Sequence, residues 1–193
     1  MLPVLLVHGI WDTGDKLAPM ARTLEAAGAP RAHAMTLSKN DGSVPLVTLA
    51  SEVAAAAEAL GPKIDLIGFS MGALVSRTYL QKLGGRARVR RFVSISGPHA
   101  GTRAAHFARS SLAGVRDMRP GSELLRSLAE DPDPWGEVEV HTMWTPLDLM
   151  ILPPRSSVLP GARSDRSIPV ALHRWIVTDR RALDHVVALL SAP

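Results

Sequence analysis

Short apolar runs alternate with helical stretches along this chain, and that alternation limits its fold more than any other feature. The run over residues 2–7 is continuously apolar, which is typical of a strand buried on both faces of a parallel sheet. Strands separated by helices predict a parallel sheet with helices on both faces. Six strands are predicted, over residues 2–7, 31–37, 63–69, 89–96, 137–144 and 168–172. Helices are predicted over residues 15–27, 46–60, 71–83, 122–130 and 179–190.

The length and composition indicate one α/β domain spanning residues 1–193. The chain has 193 residues, of which 46% are hydrophobic and 21% charged, so disorder is not expected. No internal repeat or linker divides it. Cysteine is absent, which excludes disulfides, Cys-ligated zinc and a thiol nucleophile.

Charge and hydropathy narrow the choice of partners. The net charge is +4, but aromatic residues make up only 4%, so no nucleic-acid partner is expected. The basic cluster Arg86, Arg88, Arg90 and Arg91 is interpreted as a solvated surface, with an anionic interface as the alternative. No transmembrane segment or signal peptide is recognised. We therefore expect a cytoplasmic monomer, or a secreted protein if a leader has been removed.

The segment Gly68-Phe69-Ser70-Met71-Gly72 carries the clearest chemical signal. It matches G-x-S-x-G, with a predicted strand before it and a predicted helix after it. Such a sharp turn needs small residues at Gly68 and Gly72, and it exposes the Ser70 hydroxyl above the strand ends. Ser70 is therefore the predicted nucleophile.

The loop that ends the first strand is the predicted partner of this turn. His8-Gly9-Ile10 lies where a backbone N–H can join the N–H that follows the nucleophile to form an oxyanion hole. The predicted donors are the amides of Ile10 and Met71. The side chain of His8 is interpreted as a structural histidine at a strand end.

A serine nucleophile requires a general base and an orienting acid. In this fold the expected chain order is Ser, acid, His, with each residue on a loop after a strand. His173 follows the last predicted strand, and Asp148 follows the fifth, so these two are predicted. Asp165 is placed at the wrong end of the sheet, and Asp179 is interpreted as a helix N-cap. His99 is interpreted as structural.

These motifs resemble the bacterial lipases and esterases of the α/β-hydrolase superfamily, above all the small lidless lipases of bacilli. Ser70 lies 62 residues after His8, Asp148 78 residues after Ser70, and His173 25 residues after Asp148. Pro98-His99-Ala100-Gly101-Thr102 also resembles a segment of larger bacterial lipases. The resemblance implies an α/β-hydrolase fold with a near-minimal six-stranded sheet, and hydrolysis of carboxylic esters or lipids without a cofactor or a metal.

The substrate is less well defined than the chemistry. Five residues are predicted to line an apolar substrate pocket, namely Trp11, Trp144, Leu147, Met150 and Ile151. A transient contact with a lipid interface is also expected. A thioesterase, an amidase or an acyltransferase on the same triad is the alternative, and a catalytically silent binding module is a third reading. Acyl-chain preference, and whether residues 97–134 form a partial lid, stay open.

Overall fold

A computed structural model describes residues 1–108 and 111–192. The strands are β1 (Val4–Val7), β2 (Ala32–Met35), β3 (Ile64–Phe69), β4 (Val89–Ile95), β5 (Glu139–Trp144) and β6 (Ser164–Ser167). The helices are α1 (Ala18–Ala26), α2 (Leu46–Leu60), α3 (Met71–Lys82), α4 (Ala113–Asp117), α5 (Glu123–Ala129) and α6 (Arg180–Ser191). Short 3₁₀ helices span Gly14–Lys16, Gly85–Ala87, Arg103–His106, Pro154–Ser157 and His173–Thr178.

The six strands form one sheet in the order β2-β1-β3-β4-β5-β6, and every neighbouring pair is parallel. The predicted fold class is therefore confirmed. All six strands point the same way, so their carboxyl ends share one edge of the sheet. The loops after β1, β3, β5 and β6 meet along that edge.

Alternating strand residues supply two separate cores. Leu5, Leu66 and Phe92 pack on the face covered by α2 and α3. Leu6, Ile67 and Val93 pack on the face covered by α1 and α6. The continuous apolar runs of the central strands follow directly from burial on both faces.

The last strand differs from the prediction. We expected it over residues 168–172, whereas β6 is Ser164–Ser167, which is largely exposed. Its backbone pairs with β5 at the sheet edge, where one face and one side of the strand can meet water. Ile168 and Val170 are buried because the loop after β6 packs into the core. The apolar run over residues 168–172 therefore correctly indicated burial, but it did not show which residues pair with β5 as a strand.

The predicted helices are confirmed with small differences at their ends. The first one divides into the 3₁₀ helix Gly14–Lys16 and α1. Asp179 caps α6, because its side chain accepts a hydrogen bond from the Arg181 amide. Within residues 97–134, the Arg103–His106 turn, α4 and α5 cover one side of the strand ends. Residues 109 and 110 of that region lie outside the described residues.

The interpretation of the basic cluster as a solvated surface is wrong for Arg91, which is buried, while the other three arginines are partly exposed and are also held by protein acceptors. Arg90 forms a two-pronged pair with the buried Asp65. Arg91 is buried and pairs with Glu139, and Arg86 pairs with Asp131. Arg88 donates to the Gly61 carbonyl at 2.6 Å. These contacts tie strand ends and loops together.

Candidate active site

The nucleophile turn adopts the strained geometry that its sequence requires. Ser70 lies between β3 and α3 with φ 54° and ψ −125°, a backbone conformation that a non-glycine residue rarely adopts. Its amide donates to the Ile95 carbonyl at 2.9 Å, which fixes the turn to β4. The Ser70 residue is 7% exposed, so its hydroxyl is reachable only through the clefts above the sheet.

Close backbone approach explains the glycines around Ser70. A Cβ on Gly72 would lie 2.3 Å from the His8 carbonyl oxygen, and one on Gly68 would lie 2.5 Å from the Ala73 Cα. A Cβ on Gly9 would lie 2.9 Å from the Ser70 Cβ. The loop after β1 therefore packs directly on the nucleophile turn, and side chains are excluded where the two meet.

The loop after β1 brings the predicted oxyanion donors beside Ser70. Ile10 borders the same clefts as Ser70, and Met71 is the first residue of α3. Among the hydrogen bonds of residues 1–108 and 111–192, none has the Ile10 or Met71 amide as its donor. Neighbouring amides do have partners, since the Trp11 amide donates to Asn40 and the Ala73 amide to Ser70.

Asp148 and His173 meet as an acid–imidazole pair. His173 Nδ1 lies 2.7 Å from Asp148 Oδ2. A carboxylate only accepts hydrogen bonds, so Nδ1 carries a proton, and in the neutral imidazole the lone pair is then on Nε2. The other oxygen, Asp148 Oδ1, accepts from the amides of Met150 and Ile151, both at 2.9 Å. Asp148 is 2% exposed, so these bonds hold a buried carboxylate in a fixed orientation.

His173 is also held relative to the nucleophile. Its ring lies 4.9 Å from the ring of Phe69, the residue that precedes Ser70, with the planes tilted by 30°. Thr145 joins the two loops that carry Asp148 and His173, because its hydroxyl donates to the Val170 carbonyl and accepts from the Val170 amide. Sequence analysis missed Thr145, and its position directly after β5 was the only available signal.

The second nitrogen of His173 is available for chemistry. His173 Nε2 is buried and has no hydrogen-bond partner among the described residues. His173 and Ser70 line the same open cleft of about 470 Å³, together with Trp11, Asp12 and Leu172. A buried polar atom without a partner is costly unless a ligand or reaction uses it.

A second, smaller and slightly more closed cavity of about 70 Å³ also reaches Ser70. Its walls are mainly apolar and come from the loop after β1, the Arg103–His106 turn, α4 and the loop after Asp148. Trp11, Met150 and Ile151 line this cavity, as expected for pocket residues. The lining residues that the sequence did not indicate are Thr102, Ala104, Ala105, Ala108, Val115 and Met118.

Two of the predicted pocket residues line neither cavity. Trp144 is buried, and its Nε1 donates to Asp165 Oδ1 at 2.8 Å. Trp144 lies on the same face of the sheet as Asp165, because Asp165 pairs with Thr142, two residues before Trp144. Leu147 is 55% exposed on the loop surface. Asp165 lies within β6 and also accepts from the Thr142 hydroxyl, so it has a structural role in the sheet.

The Pro98–Thr102 segment braces the acid loop. Thr102 Oγ1 donates to the Met150 carbonyl at 2.8 Å and accepts from the Leu152 amide at 2.9 Å. His99 Nε2 contacts Ser94 Oγ at 2.6 Å, and complete burial lowers the pKa of His99 well below its usual value. His99 is therefore a neutral structural residue.

Comparison with solved structures identifies the class of fold. Lipase B of Aspergillus fumigatus is 19% identical with a TM-score of 0.82, over 98% of this chain and 52% of that chain. The mature lipase of Bacillus licheniformis is 18% identical with a TM-score of 0.72, over 98% and 92% of the two chains. A pyrethroid hydrolase of Sphingobium faniae is 16% identical with a TM-score of 0.66, over 100% and 99%. The chain thus has the α/β-hydrolase fold, and it spans about half the length of the Aspergillus lipase.

Sequence comparison then gives the family. The family model for palmitoyl protein thioesterase matches residues 3–159, so the chain belongs to that family. No curated protein sequence matches the chain. Together with the fold, this match places the chain in a lipase-, esterase- and thioesterase-like family of the α/β-hydrolase fold.

Two further properties follow from the described residues. No helix in residues 1–108 and 111–192 is long and apolar enough to cross a membrane. Over the same ranges, no three acidic or histidine side chains cluster as metal ligands. The absence of a cofactor or metal requirement stays a prediction.

Proposed function

We propose that this chain is a serine hydrolase that cleaves carboxylic acyl esters through an acyl-enzyme on Ser70. Asp148 orients His173, and the Ile10 and Met71 amides form the oxyanion hole. The observation that carries the proposal is the 2.7 Å contact between His173 Nδ1 and the buried Asp148, with Nε2 left free in the cleft that Ser70 lines. A serine nucleophile needs an acid–imidazole pair of this kind beside it, with Nε2 able to take the serine proton.

The reaction proceeds in two halves. Ser70 Oγ attacks the acyl carbonyl carbon while its proton moves to His173 Nε2, and the oxyanion accepts hydrogen bonds from Ile10 and Met71. The C–O bond to the alcohol then breaks, and His173 gives its proton to the leaving oxygen. A water attacks the acyl-enzyme and loses a proton to His173. The acyl C–O bond to Ser70 then breaks as His173 returns that proton to Ser70 Oγ, which releases the acid.

The two cavities divide the substrate between them. His173 must protonate the leaving group, and it lines only the open cleft, so the alcohol lies there. The acyl chain then occupies the more closed apolar cavity on the other side of Ser70. Arg174 and Asp12 border the open cleft, which suits a polar or variable alcohol.

Labelling with a fluorophosphonate tests the nucleophile. We expect the wild-type chain to be labelled and Ser70→Ala to remain unlabelled, because Ser70 is the one serine among the described residues that line the two cavities. Ser96→Ala is the matched control, since Ser96 is also a buried serine with positive φ after a strand. Labelling that persists in Ser70→Ala would refute the assignment.

Blocking one cavity tests the division of the substrate. Ala104→Phe places a ring in the closed cavity, so hydrolysis of long p-nitrophenyl esters should fall more than that of the acetate. Leu172→Ala alters only the open cleft and should leave the acyl-chain profile unchanged. A profile from acetate to palmitate for each variant measures this. Equal losses at every chain length in Ala104→Phe would contradict the acyl assignment.

A thioesterase is the second candidate, and the family match favours it. The triad would act in the same way on a thioester, with a thiol as the leaving group. An oxygen ester and a thioester with the same acyl group separate the two activities. We expect a higher kcat/KM for the oxygen ester, and a reversed preference would make the thioesterase the better assignment.

A further inference from the structure

We propose that His8 is a positioning residue that aims the Ile10 amide at the oxyanion through a hydrogen bond from its Nδ1 to the Gly9 carbonyl. The proposal rests on the proposed function, because it assigns a role within that reaction. It adds a role in the reaction to the sequence-based interpretation of His8 as a structural histidine, which its burial and two hydrogen bonds agree with.

The hydrogen bonds of His8 settle which nitrogen carries its proton. His8 Nε2 lies 3.0 Å from the Leu37 amide, which can only donate, so Nε2 must accept. His8 Nδ1 lies 2.7 Å from the Gly9 carbonyl oxygen, which can only accept, so Nδ1 must donate. The ring is therefore neutral and held at both nitrogens. The residue is completely buried, and burial lowers the pKa of His8, with smaller opposing effects of the Gly9 hydrogen bond and then of Asp12.

The position of the ring fixes the direction of the Gly9 carbonyl. Leu37 follows β2, and β2 lies on the opposite side of β1 from β3. The ring of His8 thus lies toward β2, and the Gly9 carbonyl points to it. A longer contact of 3.4 Å from the Asp12 amide to the same oxygen supports this direction.

The planar peptide unit between Gly9 and Ile10 links the hydrogen bond of His8 to the direction of the Ile10 N–H. The Gly9 carbonyl and the Ile10 N–H belong to one trans peptide unit, so they point in opposite directions. With the carbonyl held toward β2, the N–H points toward β3, which carries Ser70. If the peptide turned over, the carbonyl oxygen would replace the N–H at the oxyanion, and stabilisation would become repulsion.

Two substitutions separate the two hydrogen bonds of His8. Asparagine presents its amide nitrogen near the Nδ1 position, so His8→Asn retains the donor to Gly9 and loses the acceptor for Leu37. Glutamine reaches the Nε2 position, so His8→Gln retains the acceptor and loses the donor. Each variant loses one buried hydrogen bond, so a purely structural role predicts similar losses of stability and activity in both.

The positioning role predicts different kinetics. His8→Gln should lose roughly 100-fold in kcat with little change in KM, because one oxyanion donor is misdirected. His8→Asn should stay within a few-fold of wild type. Equal kcat values in the two variants would overturn the role of His8, while wild-type activity would leave the proposed function intact. An inactive wild type that a fluorophosphonate does not label would instead refute the proposed function.

A measurement on the wild-type protein covers the case in which a variant does not fold. The ¹⁵N chemical shifts of the imidazole ring report which nitrogen is protonated. We expect the Nδ1–H form of His8 at neutral pH. An Nε2–H form would leave the Gly9 carbonyl without its donor and would overturn the proposal by itself.

Discussion

The two halves of the candidate site are built in different ways. Ser70 and the proposed amide donors lie on short turns directly after β1 and β3, where backbone atoms nearly touch. Asp148 and His173 lie on longer loops after β5 and β6, where side-chain hydrogen bonds set their positions. The geometry of the first half requires glycines, which leave room for backbone atoms to approach. The geometry of the second half requires particular side chains that form hydrogen bonds. Substitutions should therefore damage the two halves in different ways.

The largest expected effect is in the side-chain half. Asp148→Asn should lower kcat about 10⁴-fold, because the imidazole loses the carboxylate that selects its tautomer and stabilises its protonated form. Steady-state hydrolysis of a p-nitrophenyl ester measures this. The matched control is Asp165→Asn, since Asp165 binds only Thr142 and Trp144 within the described residues, and activity should change little. If Asp165→Asn lost activity and Asp148→Asn retained it, Asp165 would be the orienting acid instead of Asp148.

Substitutions in the backbone half should mainly lower the stability of the folded protein. Gly72→Ala should lower the free energy of unfolding by about 3 kcal/mol, because the new Cβ would lie 2.3 Å from the His8 carbonyl oxygen. Gly28→Ala is the control, with φ of 102° and nothing within 4 Å of an added Cβ. It should cost only about 1–2 kcal/mol, from backbone strain alone. Urea unfolding of both variants measures the difference, and equal losses would refute the close approach at Gly72.

Lowering the pH should reduce the stability that the buried neutral histidines give to the fold around the two halves. Burial lowers the pKa values of His8 and His99, so the unfolded chain binds more protons than the folded one below about pH 6.5. Their contribution to stability is complete above that pH and is lost as the pH falls, by at most about 1.4 kcal/mol per pH unit for each histidine.

Urea unfolding between pH 8 and pH 5 measures this loss. His99→Gln should reduce the slope of stability against pH, because the variant has no imidazole at that position to protonate. A slope as steep as that of wild type would show that His99 does not contribute. Arg77 is the charged group that acts on His99, and it lowers the same pKa further.

The smallest expected effect lies where the two halves touch. Phe69→Leu removes the ring that lies against His173, and such aromatic pairs are worth about 0.5–1.5 kcal/mol. We expect kcat to fall about twofold to tenfold with KM unchanged. Phe92→Leu is the control, because Phe92 is also fully buried but packs on the other face of the sheet. A larger loss of kcat in Phe92→Leu would mean that core packing alone explains the effect.

The same contrast explains what the sequence could predict. The turn at Ser70 was predictable because its chemistry is local: a strand, two glycines and a helix fix it within a few residues. The edge strand β6 was not, because Ser164–Ser167 has no apolar pattern and pairs only through its backbone. Thr145 and the lining of the closed cavity were also hidden, since they depend on loops that meet only in the folded chain.

The proposed oxyanion donors are main-chain atoms, and this gives the site an unusual freedom to diverge. The side chain of Ile10 borders both cavities, yet the N–H assigned to the reaction is the same for any residue except proline. Substitutions there could reshape the substrate-binding walls while the chemical step keeps its hydrogen bonds. Ile10 is therefore the first position to randomise when selecting variants with a new substrate preference.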